Sequence, residues 1–546
     1  MTPAVILLLV AGQALFPIPA AASDLTPPSA AGSPSLPSDD ELEAGGAVIG
    51  DVRIVVGDIF DPADPEDRLP GSRLVNRLHP TTRQQVIARQ LLFRPGDRYV
   101  RRLLDESERL LRADRYFRDV VVRPVAYDGQ RVAIEVAARD VWTLSPGLSF
   151  GRAGGASSMS VELQDTNFLG TGRQVVLEHR QDVDRTATRL GFTDPALLGS
   201  RFQLSIDYRR ASDGGGWNAE IERAFFSLDS HWAAALEGSV DERIDSLYRL
   251  GRVSSQFHHE AARFELRGGL SEGLSAGRVT RWTAGLTYQS DRFAALRGSS
   301  APPPPDRTLA YPWIGWDRQR DAYEETRNLD QIGRTEDVHV GPQLHAKIGF
   351  ASPELGADRT ALLFDGTAGL VLAPRSGRLL RLEAGTTGRL EHGRLAHTLL
   401  HGGAQAYWRN QGRRELYVGL AGDVARALDP EQQITLGGDN GLRGYPLRYQ
   451  AGDARLLLTV EQRIFTDWYP LHLARVGAAV FYDVGRTWGG FAEARRGLLQ
   501  DIGAGLRLAP TRTGHGSMIH LDVAFPLDGS GDLEGVQWLV RSHSTF

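Results

Sequence analysis

Residues 141–546 alternate apolar and polar side chains in segment after segment, and this period of two limits what the chain can fold into more than any other feature. Successive side chains of an extended backbone point to opposite faces, so each such segment is a strand with one apolar and one polar face. "RFQLSIDYRR" sets Phe202, Leu204, Ile206 and Tyr208 against Gln203, Ser205, Asp207 and Arg209. "QDIGAGLRLA" sets Ile502, Ala504, Leu506 and Leu508 against Asp501, Gly503, Gly505 and Arg507. "SMIHLDVAF" sets Ile519, Leu521, Val523 and Phe525 against His520, Asp522 and Ala524. Gly, Asp, Pro and Asn punctuate the segments, and no helical period is present.

Two architectures satisfy that pattern: a soluble sandwich or propeller with its core inside, or a membrane barrel with lipid outside and water inside. Here the polar faces carry charge, glycine and small residues over many turns, which suits a hydrated lumen. At about 25 residues for a strand with its connection, the span accommodates about 16 strands, so the expected fold is a mainly β, antiparallel transmembrane barrel. Polar stretches such as "RGSSAPPPPDRT" would be extracellular loops. The chain closes on "VQWLVRSHSTF", with Val536, Trp538, Val540 and the terminal Phe546 on one alternating face.

The first 22 residues supply a route to such a membrane. "MTPAVILLLVAGQALFPIPAAASDL" holds an apolar run and then Ala20, Ala21 and Ala22, a small-residue cleavage pattern. No Lys or Arg precedes Val5, so the positive n-region rests on the terminal amine and a membrane anchor is the alternative; the run is shorter than the ~20 residues a spanning helix needs, so residues 1–22 are expected to be a signal peptide. A mean hydropathy of -0.27 argues against a bundle of membrane helices. With no cysteine the chain needs no disulfides in an oxidising envelope. A net charge of -5 and a pI near 6.3 give no basic excess to meet phosphates, which speaks against nucleic acid as a partner.

Residues 23–46 are rich in Pro, Ser and Ala and poor in apolar bulk, the composition of a disordered linker. Residues 47–140 differ from everything after them. "AVIGDVRIVVGDIF" has a strand's Val and Ile content, and Thr81 or Thr82 can cap "RQQVIARQLLF", which places Val86, Ile87, Gln90 and Leu91 on one helical face. In "VRRLLDESERLLRADRYF" the stripe is Leu103, Leu104, Ser107, Leu110 and Leu111. A hairpin turning at Asp128-Gly129 completes a small α+β domain of order β-α-α-β-β.

Enzyme signatures are nearly absent. "GLSAG" at 273–277 matches a nucleophile-elbow spacing around Ser275, but strand-like residues flank it on both sides, where an elbow needs strand, turn and helix. His258 and His259 are neighbours on a strand and face opposite ways, so they do not share a metal. "PPPP" at 302–305 fits a stiff loop tip. No enzymatic activity, cofactor or metal is expected.

What remains is "LGGDNGLRGYPLRYQAG" at 436–452 together with "VGAAVFYDVGRTWG" at 476–489. Alternation sends Val480, Tyr482 and Val484 to lipid and Gly477, Phe481, Asp483 and Gly485 to the lumen. In "ARLLLTVEQRIF" Leu456, Leu458 and Val460 mark the lipid face, so Glu461 also points inward. Two inward acids call for an inward cation, and the neighbouring loop offers Arg443.

These residues resemble the outer-membrane assembly and secretion superfamily that includes BamA, TamA and two-partner secretion transporters such as FhaC. Its hallmarks are a V/I-R-G-F/Y motif on the sixth extracellular loop, matched by Leu442, Arg443, Gly444 and Tyr445 with Leu in the first place, and a G/F-x-D-x-G pattern on strand 13, matched by Phe481, Asp483 and Gly485. A strand-12 acid is matched by Glu461, and Phe546 resembles the C-terminal signal of outer-membrane barrels. The resemblance implies one periplasmic POTRA domain at 47–140 ahead of a sixteen-stranded barrel at 141–546 in the outer membrane of a Gram-negative bacterium. It implies a loop folded into the lumen with Arg443 on Asp483, and a first strand near "LSPGLSFGR" weakly paired with the last. The implied partners are unfolded outer-membrane or secreted polypeptide, the lipid bilayer and other envelope assembly proteins. A passive diffusion pore with a vestigial POTRA domain and a two-partner secretion transporter are the alternatives.

Overall fold

The computed structural model describes residues 36–543 apart from 61–71, 115, 298–301, 328–334, 376, 411–412, 471–473, 490–496, 511–517 and 529–532. The expected signal peptide at 1–22 and the terminal Phe546 lie outside these residues.

The N-terminal domain is a three-stranded sheet covered by helices. Strands β1 (Val48–Gly57), β2 (Phe117–Tyr127) and β3 (Arg131–Asp140) are ordered β1-β3-β2, with β1 parallel to the central β3. The β2–β3 turn falls at Asp128-Gly129, where Gly129 has φ +100° and the Asp128 carboxylate accepts from the N–H groups of Gln130 and Arg131. Among the described residues four helices precede β2 rather than two: α1 (Asp39–Ala44), α2 (Ser72–Leu78), α3 (Gln84–Gln90) and α4 (Arg101–Ala113). The order expected from sequence therefore needs α1 and α2 added.

Helix α1 also corrects the reading of 23–46 as linker throughout. Ser38 and Glu41 form a reciprocal capping box, and Leu42 is fully buried among Ile49, Ile87, Leu104, Phe117 and Ile134. One buried leucine in a polar hexapeptide leaves no periodic signal. Neither threonine caps α3: its N-cap is Arg83, and Thr82 donates instead to Asp140, Oγ1 to Oδ1 at 2.7 Å. Along α4 the buried positions are Leu104, Glu106, Ser107 and Leu111, while Leu103 and Leu110 stay half-exposed.

The rest closes into one antiparallel barrel of 20 strands, from Leu144–Ala153 to Gln537–His543. The expectation of about 16 fails on its assumed repeat length. The first six strands, between Leu144 and Arg223, are only 8–10 residues long, and several hairpins close with two residues. Gly154-Gly155, Leu250-Gly251, Ala276-Gly277 and His392-Gly393 are such turns, with positive φ at both positions. The motif-like Ser275 therefore ends a strand at a plain hairpin.

Exposure sorts the faces as alternation requires. Ile206, Tyr208, Val480, Ile502, Leu506, Phe525 and Trp538 are exposed on the outside, whereas Phe481, Asp483, Asp501, Arg507 and Asp522 are buried inside. An apolar outside around a charged inside is the arrangement of a membrane barrel. Among the described residues no helix is long and apolar enough to cross a membrane.

The small domain sits on one rim of the barrel. Asn167 donates to Thr82 Oγ1 at 2.6 Å, Arg201 to the Leu91 carbonyl at 3.1 Å, and Glu106 accepts from the Leu228 N–H at 2.7 Å. A hairpin on the same rim, Tyr323–Arg327 with Thr335–His339, meets α4 through Arg112 on Glu325 (3.0 Å) and Asp337 (3.3 Å).

Candidate functional site: an arginine lock in the barrel lumen

The connection 427–453 leaves the strand Arg414–Arg426 and returns through Ala454–Phe465. It is compact because it carries its own ladder, Ile434–Leu436 against Gln450–Gly452, and because Asn440 bridges the Gly437 N–H and the Thr435 carbonyl at 2.7 Å each. Leu436, Leu442, Tyr445, Tyr449 and Leu499 form a buried cluster within the barrel wall. The glycines admit this packing. A Cβ at Gly438 would meet the Tyr445 carbonyl oxygen at 2.3 Å, and one at Gly444 would meet Asp501 Cβ at 2.7 Å.

That approach delivers Arg443 to the acids. Its Nε and Nη2 donate to the two oxygens of Asp483 at 2.7 and 3.0 Å, and Nη1 donates to Glu461 Oε2 at 2.8 Å. The guanidinium lies 3.3 Å above the Phe481 ring. Such a fork on one carboxylate fixes direction as well as distance, and a lysine cannot reproduce it. Burial works against the charge, but Asp483 and Glu461 outweigh it and hold the guanidinium well above its ordinary pKa. Phe481 is in turn accommodated by Gly503 on the paired strand, where a Cβ would lie 2.3 Å from the ring.

Glu461 and Asp483 stand on the sixteenth and seventeenth strands of the barrel. They are the fifth and fourth strands from the end of the barrel. Gly485 serves the loop: a Cβ there would meet Leu436 Cδ2 at 3.0 Å. Tyr445 is fully buried, donates to the Gln500 carbonyl at 2.9 Å and bonds Asp528.

The lock extends beyond the residues picked out by motif. Arg507 joins Glu461 (3.2 Å) to Asp522 (2.5 Å), and Arg463 joins Glu461 (3.0 Å) to Glu415 (3.2 Å). Asp501 faces Asp483 across the register, fully buried, and neither carboxylate oxygen has a well-formed hydrogen bond. Alternation marks Arg507, Asp522 and Asp501 as inward, but it carries no information on which pair meets.

A second fork holds the loop on its other side. Arg448 Nη1 and Nη2 donate to the oxygens of Asp184 at 2.8 and 2.5 Å, and its guanidinium stacks 4.3 Å from the Tyr248 ring. Arg448 keeps the Asp184 carboxyl below its usual range. The sequence separation of these residues hides the pair.

The seam beside the lock is thin. Among the described residues the last strand, Gln537–His543, pairs with the first, Leu144–Ala153, at one register position, Val540 to Arg152, whereas neighbouring strands pair along their length. Arg541, on that last strand, donates to the Gly438 carbonyl. His259, noted in sequence, is buried between Asp245 (2.7 Å) and Asp291 (3.1 Å). Among the described residues no cluster of His, Asp and Glu has the geometry of a metal site.

No family model matches the sequence. Over 134 residues the chain is 27% identical to a protein of Treponema pallidum (strain Nichols) named as an outer membrane protein assembly factor. That match covers 23% of this chain and 16% of the relative, so the chain spans about a sixth of the curated relative's length. Among solved structures it is similar to BamA from Haemophilus ducreyi lacking POTRA domains 1–3, with 13% identity, 90% of this chain and 84% of that one covered, and a TM-score of 0.40. It is also similar to CdiB from Escherichia coli (14% identity, 90% and 76% covered, TM-score 0.46) and CdiB from Acinetobacter baumannii (10%, 91% and 73%, 0.43).

Proposed function

We propose that this chain is an outer-membrane assembly or translocation factor, which takes unfolded polypeptide on the periplasmic side and inserts it into the membrane or passes it across. The observation that carries the reading is the inward-folded loop: Arg443 forked on Asp483 and bonded to Glu461, beside a seam where the described residues pair at one strand position. A loop packed into the lumen obstructs free diffusion, which disfavours a passive pore. A thin seam gives a client strand an edge to pair with. The domain at 47–140, with α1 added, acts as the periplasmic POTRA domain. Its sheet ends at β1 and β2; residues 96–99 already bond β1 at Ala47–Ile49, and an extended client can add at β2. The relative of Treponema pallidum, by its name, points the same way. No bond is made or broken in this role, and no cofactor takes part.

Val121 on β2 is exposed and suits a photoreactive replacement. On illumination in cells, the full-length protein should capture nascent outer-membrane or secreted polypeptide. Capture of none, with ion conductance through the purified protein, would establish the passive pore instead. Other envelope assembly proteins would appear among the captured species.

A further inference from the structure

The rim that carries the small domain holds a group of arginines that the lock does not use. Arg201 precedes the strand Gln203–Ala211, and Arg223 ends the strand Gly214–Arg223. Their guanidinium groups stack on one ring, that of Phe226, at 4.4 and 5.0 Å from its centre. Arg223 also lies 3.7 Å over Trp232 and donates to its carbonyl. Among the described residues neither arginine has a carboxylate acting on it; the charges that Arg201 feels are those of Arg94 and Arg223. Burial and those two like charges pull Arg201 below its ordinary pKa. Arg89 approaches the same turn, since a Cβ at Gly199 would lie 3.3 Å from its Nη2.

The lumenal arginines Arg443, Arg463 and Arg507, by contrast, each have acids. The two guanidinium groups are thus open to an anion from outside the protein. The surroundings indicate its source. Arg223 follows Trp217 and Ile221 on the outward face of its strand, and Trp232 begins the outward row that continues with Leu236 and Val240, all of them exposed. The neighbouring connection, between the strands Thr186–Asp194 and Gln203–Ala211, projects Leu198, which is 95% exposed and held at φ 54°, and it closes through the Leu197 N–H on the Phe202 carbonyl at 2.7 Å. Cations, an indole and a projecting leucine thus meet at the edge of the apolar belt, where lipid headgroups lie.

We propose that Arg201 and Arg223, backed by Arg94 and Arg89, bind the phosphate of an anionic phospholipid in the leaflet on the small domain's side, with Trp232 and Leu198 seated among its acyl chains. The site rests on the reading of this chain as a membrane barrel with its small domain at the periplasmic face. Because Arg201 also donates to the Leu91 carbonyl, a bound lipid stands next to the hydrogen bond that ties the domain to the rim. A free phosphate would satisfy the arginines and leave Trp232 and Leu198 without a role.

The test uses the full-length protein in phosphatidylcholine vesicles carrying a trace of spin-labelled phosphatidylglycerol or spin-labelled phosphatidylcholine. Electron paramagnetic resonance reads the fraction of each label immobilised at the barrel. The wild type should prefer phosphatidylglycerol, and Arg223→Gln, which removes no bond to the small domain, should lower that preference about five-fold. Arg223→Lys should retain part of it. Equal selection of both lipids by the wild type, or an undiminished preference in Arg223→Gln with Arg201→Gln, would overturn the site. Displacement of the labelled lipid by millimolar inorganic phosphate at constant ionic strength would assign it to free phosphate and overturn the lipid. Every sample is also run with and without boiling. A wild type whose migration does not change would remove the barrel reading itself, whereas a heat-modifiable wild type without lipid preference removes this site alone.

Discussion

Arg443 combines a two-point contact on Asp483, a further bond to Glu461 and a stacking surface in Phe481, so its removal leaves confined acids without their partner. Arg443→Ala should destabilise the barrel by about 3–5 kcal/mol, the cost of breaking a buried pair on one side. Arg443→Lys should recover part of this, because an ammonium keeps the charge and loses the fork. In a double-mutant cycle with Asp483→Ala, read by urea unfolding in detergent, the coupling should be about 0.5–3 kcal/mol. Strict additivity would mean that the two side chains do not meet. Gly444 makes a separate demand. Its φ is unremarkable, but its missing Cβ admits the loop against Asp501, so Gly444→Ala should cost about 1–3 kcal/mol by overpacking in the same assay. At this scale the sequence was informative about direction: parity alone turned Glu461, Phe481 and Asp483 inward. It was silent on Arg448 with Asp184 and on Arg507 with Asp522, because pairing depends on the barrel's curvature and loop path.

Elements were legible where their period was long and illegible where it was short. Helix α4 and the β2–β3 hairpin declare themselves by a stripe and by Asp-Gly, but α1 is six residues with one apolar anchor, Leu42. The consequence can be measured. A fragment of residues 36–140 should fold alone, since its core contains Leu42, Ile49, Ile87, Leu104, Phe117 and Ile134. A fragment of 47–140 loses Leu42 and should be less stable by about 2–5 kcal/mol, the range for deleting a buried leucine side chain. Thermal melts followed by circular dichroism decide this, and identical melting curves would detach α1 from the domain. Strand number escaped for a related reason. Alternation identifies strands one at a time, but their count depends on turn length, and two-residue turns such as Leu250-Gly251 look no different in composition from ends of longer loops.

For the whole molecule, the loop, the lock and the seam are parts of one arrangement. The loop spans from Asp483 on the wall to Asp184 on another turn, and the last strand reaches it through Arg541 on the Gly438 carbonyl. The strand that must leave the first strand for the seam to open is thus tied to the loop that fills the lumen. The proposed role requires that seam to open, and the one pair registered among the described residues offers a direct handle on it. Residues directly opposite on antiparallel strands hold their Cβ atoms about 4.5–5.5 Å apart, within modest adjustment of disulfide geometry. Arg152→Cys with Val540→Cys, in a chain that has no other cysteine, therefore closes the seam on oxidation. The protein is reconstituted in vesicles, shown to be folded by heat-modifiable migration, and given an unfolded outer-membrane barrel protein as client. Client insertion should stop in the oxidised protein and return on reduction, and the single-cysteine variants should be indifferent to both treatments. Insertion at an undiminished rate through the oxidised, folded barrel would contradict the seam as the route.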